Sequence, residues 1–144
     1  MTSPLATAMS NSRLSNEPGR ALITVRGQHF VTDAPPNLGG SNESANPVEL
    51  LLTALAACGT FVCERAAQEL GIPLQAVNLT AAGDFDPRGV CGESFDPRFQ
   101  ALRLRLTLTG PDEAQGEVLI QAFKTRCPVY TTLARSVPIE ITRA

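Results

Sequence analysis

The 144-residue sequence is 43% hydrophobic and 18% charged, a composition typical of one soluble globular domain. The net charge of −2, the single tyrosine and the lack of tryptophan argue against nucleic acid as a partner, because such surfaces need clustered cations and stacking rings. The most apolar run, residues 50–62, contains threonines and is shorter than the roughly 20 residues of a membrane span. The first residues lack the basic start and apolar stretch of a secretory signal. We therefore expect a cytoplasmic protein with no membrane partner.

The cysteines are candidates for chemistry, and they fall at Cys58, Cys63, Cys91 and Cys127. They form no C-x-x-C pair, and the chain has one histidine, so we expect no zinc site. In an intracellular chain, such cysteines are more often reactive or buried thiols than structural disulfides.

The N-terminal part is predicted to contain an arm, a hairpin and a loop. Residues 1–18 are polar and rich in Ser and Asn, which predicts a flexible arm ahead of a single domain over residues 19–144. Residues 21–32 alternate loosely and are broken at Gly27, which predicts a β-hairpin or two short strands. Residues 33–46 are rich in Pro, Gly, Asn and Ser and are predicted to form a loop.

A long helix is predicted over residues 47–70. Asn46 can cap it, Glu49 completes a capping box, and Gly71 suits the left-handed position that ends a helix. No charged residue occurs at positions 50–63. Because a surface helix would show a polar face, we predict that this helix is buried on all sides, with a partner subunit covering part of it.

The second half is predicted to be two strands, two helices and a last strand. Leucines alternate with Arg and Thr in the second strand, which indicates one apolar and one solvated face. Acidic residues open the first of these helices and basic residues close it, as the helix dipole favours. The predicted order is strand 76–85, strand 99–109, a helix from about 111 to 126, a short helix from 128 to about 135, and strand 137–142. This order predicts an α+β fold with mainly antiparallel sheets.

Two cysteines have contrasting surroundings in the sequence. Cys58 has apolar helical neighbours and lies about three turns from the helix start, so burial is expected to raise its pKa unless a cation is brought to it. Cys127 precedes Pro128 at a helix start, where free N–H groups favour a thiolate. For both residues an inert structural role stays open on this evidence.

The stretch DAPPNLGGSNESANPVELLLTALAACGTF, followed later by RCPVYTTL, resembles the OsmC/Ohr family, in its OsmC-like branch. The resemblance covers roughly residues 20–143. It implies an intertwined homodimer whose sheets wrap around long central helices. It also implies a thiol-dependent, antioxidant peroxidase that reduces organic hydroperoxides without metal or cofactor and is regenerated by an external dithiol.

Site residues follow from the same resemblance. Cys58 corresponds to the peroxidatic cysteine and Cys127 to the resolving cysteine, and Arg20 is the best match for the arginine that stabilises the thiolate, with Arg26 as a second choice. The same resemblance implies a glutamate directly after the Asn-Pro pair that orients this arginine, and here that position is Val48.

We predict substrate contacts from Glu49, Phe61 and Tyr130, although Glu49 is first of all a helix cap. The other three candidates, Cys63, Cys91 and His29, are predicted to be structural or without a fixed role.

Two other functions remain open. The lost glutamate could mean a non-catalytic protein that binds an apolar small molecule, with the cysteines as core residues. A general thiol–disulfide exchanger is the third possibility, and the missing C-x-x-C pair disfavours it.

Overall fold

A computed structural model describes residues 5–143, which fold as an α+β protein with antiparallel sheets and one long helix, as predicted. The strands are β1 Asn11–Leu14, β2 Arg20–Val25, β3 Gln28–Asp33, β4 Ala76–Asp84 and β5 Ala101–Thr109. The helices are α1 Pro47–Leu70, α2 Glu113–Arg126 and α3 Pro128–Ala134, with a 3-10 turn at Pro36–Leu38. Residues 5–143 form two compact units, with the border after residue 50.

The first unit holds a three-stranded antiparallel sheet in the order β1-β2-β3. The predicted hairpin is confirmed: β2 and β3 are joined by Arg26 and Gly27, both with positive φ (49° and 78°), as tight hairpin turns require. β1 lies within the segment predicted as a flexible arm, and it pairs with β2. Its sequence NSRL has no apolar alternation, so nothing in the pattern indicated a strand.

Helix α1 begins and ends where the sequence predicted. Asn46 Oδ1 accepts a hydrogen bond from Glu49 N, and Glu49 Oε2 accepts one from Asn46 N, both at 2.9 Å, so the capping box is confirmed. At the other end Gly71 has φ 66°, the left-handed conformation that glycine adopts at little cost.

The single chain buries one face of α1, and burial of the other face by a partner subunit stays a prediction. One face is buried, and it carries Leu55, Gly59, Val62, Cys63, Ala66 and Ala67. The opposite face is exposed, and Phe61 on it is 63% accessible. Among residues 5–143, α1 is also the one helix long and apolar enough to cross a membrane, a property that it shares with core helices of soluble proteins.

The core of the second unit lies between α1, α2 and the β4–β5 pair. β4 and β5 are antiparallel, and their leucines pack against a buried cluster that includes Leu119 and Phe123 of α2. Gly59 permits this packing, because a Cβ atom there would lie 2.6 Å from Leu79 Cδ1 and 2.8 Å from Phe123 Cζ. The chain thus supplies cover for one side of α1.

The loop between β4 and β5 contains the tetrapeptide Phe-Asp-Pro-Arg twice, at residues 85–88 and 95–98. In both copies the Asp Oδ1 accepts a hydrogen bond at 3.0 Å from the backbone N–H of the Arg two residues later. The Arg88 guanidinium also stacks 3.5 Å from the centre of the Phe95 ring, so the loop holds its own shape.

The C-terminal helices match the prediction, but the last strand does not. Asp112 and Gln115 form a capping box at the start of α2, and α3 begins at Pro128. The predicted strand 137–142 is wrong, because these residues have no regular structure and Ile139 and Ile141 are 84% and 93% exposed. An alternating segment becomes a strand only when a neighbouring edge accepts its backbone hydrogen bonds, and within residues 5–143 none does.

Candidate functional site

The fold brings Cys58 and Cys127 together, although 69 positions separate them in the sequence. Cys58 lies about three turns from the start of α1, and Cys127 lies between α2 and α3. Their Sγ atoms are 2.6 Å apart, and both residues are free thiols. Because a disulfide bond is about 2.0 Å long, oxidation could join the two sulfur atoms with little movement of the backbone.

Local backbone rules place the Cys127 thiol. Pro128 disfavours helical angles in the residue before it, so α2 ends and Cys127 adopts φ −81° and ψ 116°. Its Sγ atom then accepts a hydrogen bond from Tyr130 N at 3.3 Å, the contact expected of a residue that caps a helix. Cys127 is fully buried, so in this arrangement Cys58 is the more accessible of the two thiols.

The surroundings of Cys58 favour the protonated thiol. Burial raises the pKa of Cys58 above its ordinary value, and the contact with Cys127 adds to the increase. The backbone N–H of Val129 lowers the pKa of Cys58 and offsets part of this effect. The expectation that an apolar setting raises this pKa is therefore confirmed, and a reactive thiolate here needs a cation.

A small apolar pocket of about 180 Å³ has Tyr130 in its wall, and neither Cys58 nor Cys127 lines it. Tyr130 also packs on Phe123, with the ring centres 5.3 Å apart. Leu55, three positions before Cys58, lines the same pocket. The remaining wall consists of Leu102, Leu104, Leu133 and Ala134. Apart from Tyr130, the sequence analysis assigned no site role to the residues of this pocket. The spacing of Leu55 and Cys58, three positions apart on a helix, indicates that the two side chains lie on the same face.

Arg20, the predicted thiolate-stabilising cation, lies in the first unit within a polar network. Its Nη2 atom donates to Asp33 Oδ2 at 3.1 Å, to Ser41 Oγ at 2.9 Å and to Glu43 Oε2 at 2.5 Å. Its Nε atom is buried and has no hydrogen-bond partner among residues 5–143. Buried donors without a partner are unusual in native proteins. The sequence analysis missed Asp33 and Glu43, which it had placed in or beside a loop.

Other predicted residues lie elsewhere. Glu49 takes part in the N-terminal cap of α1, and Phe61 lies on the exposed face of that helix rather than in the Tyr130 pocket. Arg26 forms the β2–β3 turn. Residues 5–143 contain no cluster of three His, Cys, Asp or Glu side chains suited to a metal ion.

The other three candidates, Cys63, His29 and Cys91, lie in different environments. Cys63 is buried, and its Sγ atom lies 3.8 Å from the carbonyl oxygen of Leu119. His29 shares a hydrogen bond of 3.0 Å with the Thr24 hydroxyl on an exposed part of the sheet. Cys91 is exposed in the β4–β5 loop.

Comparison with known proteins agrees with the resemblance. The sequence model of a family described as OsmC-like protein matches residues 40–142. An OsmC-like protein from Mycoplasma pneumoniae has a similar structure, with a TM-score of 0.77 at 17% identity over 91% of this chain and 89% of that one. An organic hydroperoxide resistance protein OsmC from Legionella pneumophila has a TM-score of 0.69 at 19% identity over 91% of both chains. An organic hydroperoxide resistance protein from Elizabethkingia anophelis has a TM-score of 0.68 at 19% identity, over 94% of this chain and 92% of that one.

Curated proteins offer no match to this sequence. The neighbouring structures establish the fold, and the family model covers well over half of the chain. This chain belongs to the OsmC-like family.

Proposed function

We propose that this protein is a thiol peroxidase that reduces organic hydroperoxides, with Cys58 as the peroxidatic and Cys127 as the resolving cysteine. The observation that carries the proposal is the 2.6 Å separation of the two Sγ atoms. Solved structures with this fold include proteins named for organic hydroperoxide resistance, which supports the same chemistry.

The reaction balances without a metal or cofactor. The Cys58 thiolate attacks the distal peroxide oxygen, the O–O bond breaks, and the alkoxide leaves as an alcohol after taking a proton. Cys58 is then a sulfenic acid. The Cys127 sulfur attacks the Cys58 sulfur, a disulfide forms and water leaves. An external dithiol reduces the disulfide, regenerates both thiols and becomes oxidised itself.

The pocket lined by Leu55 and Tyr130, residues that lie three positions from Cys58 and Cys127 in the sequence, supports an apolar substrate. Its wall is formed mainly by leucine and tyrosine side chains, which favour the alkyl group of an organic peroxide over hydrogen peroxide. A competition assay between cumene hydroperoxide and hydrogen peroxide tests this preference. Equal rate constants would contradict it.

Thiolate formation requires a cation, and Arg20 is our candidate. Burial keeps Cys58 protonated, so an arginine must offset the cost of the charge. The Nε atom of Arg20, which is buried and has no hydrogen-bond partner among residues 5–143, is a donor suited to a thiolate or a peroxide oxygen.

We further propose that the protein acts as a cytoplasmic homodimer. The exposed apolar face of α1, which includes Phe61, and the exposed 137–142 segment are both surfaces that a second copy can cover. The free thiols suit a reducing compartment.

Peptide mapping after one equivalent of cumene hydroperoxide tests the main proposal. We expect a Cys58–Cys127 disulfide in the native chain, and in the Cys127→Ser variant a Cys58 sulfenic acid that a dimedone probe traps. The Cys58→Ser variant should show neither, while Cys91→Ser, the matched control, should behave like the native protein. If Cys58 stays reduced, the alternative function, binding of an apolar small molecule, gains support, and native mass spectrometry would then look for that molecule.

A further inference from the structure

We propose that Asp33 is the positioning residue for Arg20, in place of the glutamate that the sequence replaces with Val48. The inference rests on the proposed function, because it concerns how Arg20 is held ready for the thiolate. Arg20 and Asp33 are directly opposite each other in the β2–β3 register. Side chains in such a cross-strand pair lie on the same face of the sheet, and the contact here is 3.1 Å.

Asp33 is anchored independently of Arg20. It is fully buried, at 0% exposure, and its Oδ2 atom accepts hydrogen bonds from Ser41 Oγ at 2.7 Å and from Glu43 N at 3.0 Å. Its Oδ1 atom accepts a third from Ser41 N at 3.3 Å. The Glu43 N–H and the Ser41 hydroxyl, followed by Arg20, hold the pKa of Asp33 far below its ordinary range despite burial. Asp33 is therefore a fixed negative charge to which the flexible arginine side chain conforms.

The backbone around the pair is shaped to make these contacts. Gly19, just before Arg20, has φ 74°, and a Cβ atom there would lie 2.7 Å from Gly40 Cα. A Cβ atom on Gly40 would lie 1.9 Å from the carbonyl oxygen of Ala34. These close approaches bring residues 41–43 over Asp33, where their N–H groups reach its carboxylate.

Glu43 is the other acidic partner of Arg20, and its position suits it less for this role. The hydrogen bond that Arg20 donates to Glu43, and after it the one that it donates to Asp33, raise the pKa of Arg20. Glu43 is, however, 69% exposed, so water and salt screen its charge and its side chain loses entropy when it is held in place. Asp33 has neither disadvantage, because it is buried and already ordered.

The consequence is a defined orientation of the guanidinium. Three oxygen atoms hold its Nη2 atom, while Nε stays buried without a partner among residues 5–143. A side chain fixed at one end can offer its Nε donor without a further loss of rotamer freedom.

A double-mutant cycle tests the proposal in the full-length protein. The rates of Cys58 oxidation by cumene hydroperoxide and of Cys58 alkylation by iodoacetamide at pH 7 are measured in native, Arg20→Met, Asp33→Asn and double variants. We expect each single substitution to lower both rates by about tenfold, the size of a lost charged hydrogen bond, and the double variant to match Arg20→Met. A residue with a purely structural role would lower the rates again in the Arg20→Met background.

Controls separate the possible failures. Asp84→Asn removes a carboxylate that is paired with Arg103 on the β4–β5 strands and should leave both rates unchanged. An Asp33→Asn variant with native rates, or an effect that adds to that of Arg20→Met, would overturn the inference. If the native protein resists the peroxide, the proposed function fails, and the alkylation rates still decide the role of Asp33. If Asp33→Asn does not fold by circular dichroism, Ser41→Ala replaces it, with a smaller loss expected and with native rates again counting against the inference.

Discussion

The thiol pair and the Arg20–Asp33 network lie in opposite environments, one apolar and one charged. The thiol pair lies among leucine, valine and aromatic side chains, and burial raises the pKa of Cys58. The Arg20–Asp33 network consists of charges and hydrogen-bond donors that keep Asp33 ionised. A peroxidatic cysteine needs features of both, because an apolar wall receives an organic substrate while a cation stabilises the thiolate. The comparison explains why the cysteines by themselves would make a poor catalyst.

The largest expected effect comes from the nucleophile. Cys58→Ser should slow oxidation by cumene hydroperoxide at least about a thousandfold, because a hydroxyl does not replace the thiolate. Stopped-flow measurement of peroxide consumption under a dithiol reductant checks it. Cys91→Ser should retain the native rate, and a similar loss in that variant would place the chemistry in the β4–β5 loop.

Packing behind the thiols gives the next largest effect. Gly59→Ala should lower the free energy of unfolding by about 1–3 kcal/mol, since the new Cβ atom would meet the side chains of Leu79 and Phe123. Gly116→Ala is the matched control in α2, where the nearest atom lies at 3.5 Å, and it should raise the free energy of unfolding by about 0.5–1 kcal/mol. Urea titration of both variants checks the contrast, and equal signs would contradict it.

At acid pH the free energy of unfolding should depend on the ionisation of Asp33. Its pKa is lower in the folded than in the unfolded state, so its contribution is present above the unfolded pKa of about 3.9 and is lost as the pH falls further. Asp33→Asn should therefore flatten the dependence of unfolding free energy on pH below about 4. Urea titrations across the acid range check it, and an unchanged slope would mean that Asp33 is not held ionised.

At alkaline pH the stability should depend on Cys63, with the opposite sign. Burial raises the pKa of Cys63 on folding, so its contribution is complete below the unfolded pKa of about 8.5 and is lost as the pH rises through the folded value. Cys63→Ala should remove that alkaline loss, which urea titrations across the alkaline range would measure. A native-like decline in the variant would assign the loss to another group.

The smallest effect is expected at an exposed ion pair. Asp84→Asn breaks the contact with Arg103, but both side chains are largely solvated, so the free energy of unfolding should change by no more than about 1 kcal/mol. Thermal denaturation checks this expectation. A larger loss would show that the end of the β4–β5 pair contributes more to stability than its exposure indicates.

The sequence determined the elements whose boundaries depend on neighbouring residues. α1 runs from Pro47 to Leu70 as predicted, because its cap and its glycine terminator act within one helical turn. The break between α2 and α3 follows from the steric effect of Pro128 on the residue before it. Alternation likewise predicted the β4–β5 pair.

Tertiary structure alone decided the rest. β1 forms because β2 offers an edge, and the 137–142 segment stays irregular because within residues 5–143 no edge receives it. The meeting of Cys58 with Cys127, and of Arg20 with Asp33 and Glu43, depends on packing and strand register between residues far apart in sequence. A single sequence records such contacts only through a family resemblance, which indicated the cysteine pair and Arg20 but gave no sign of Asp33.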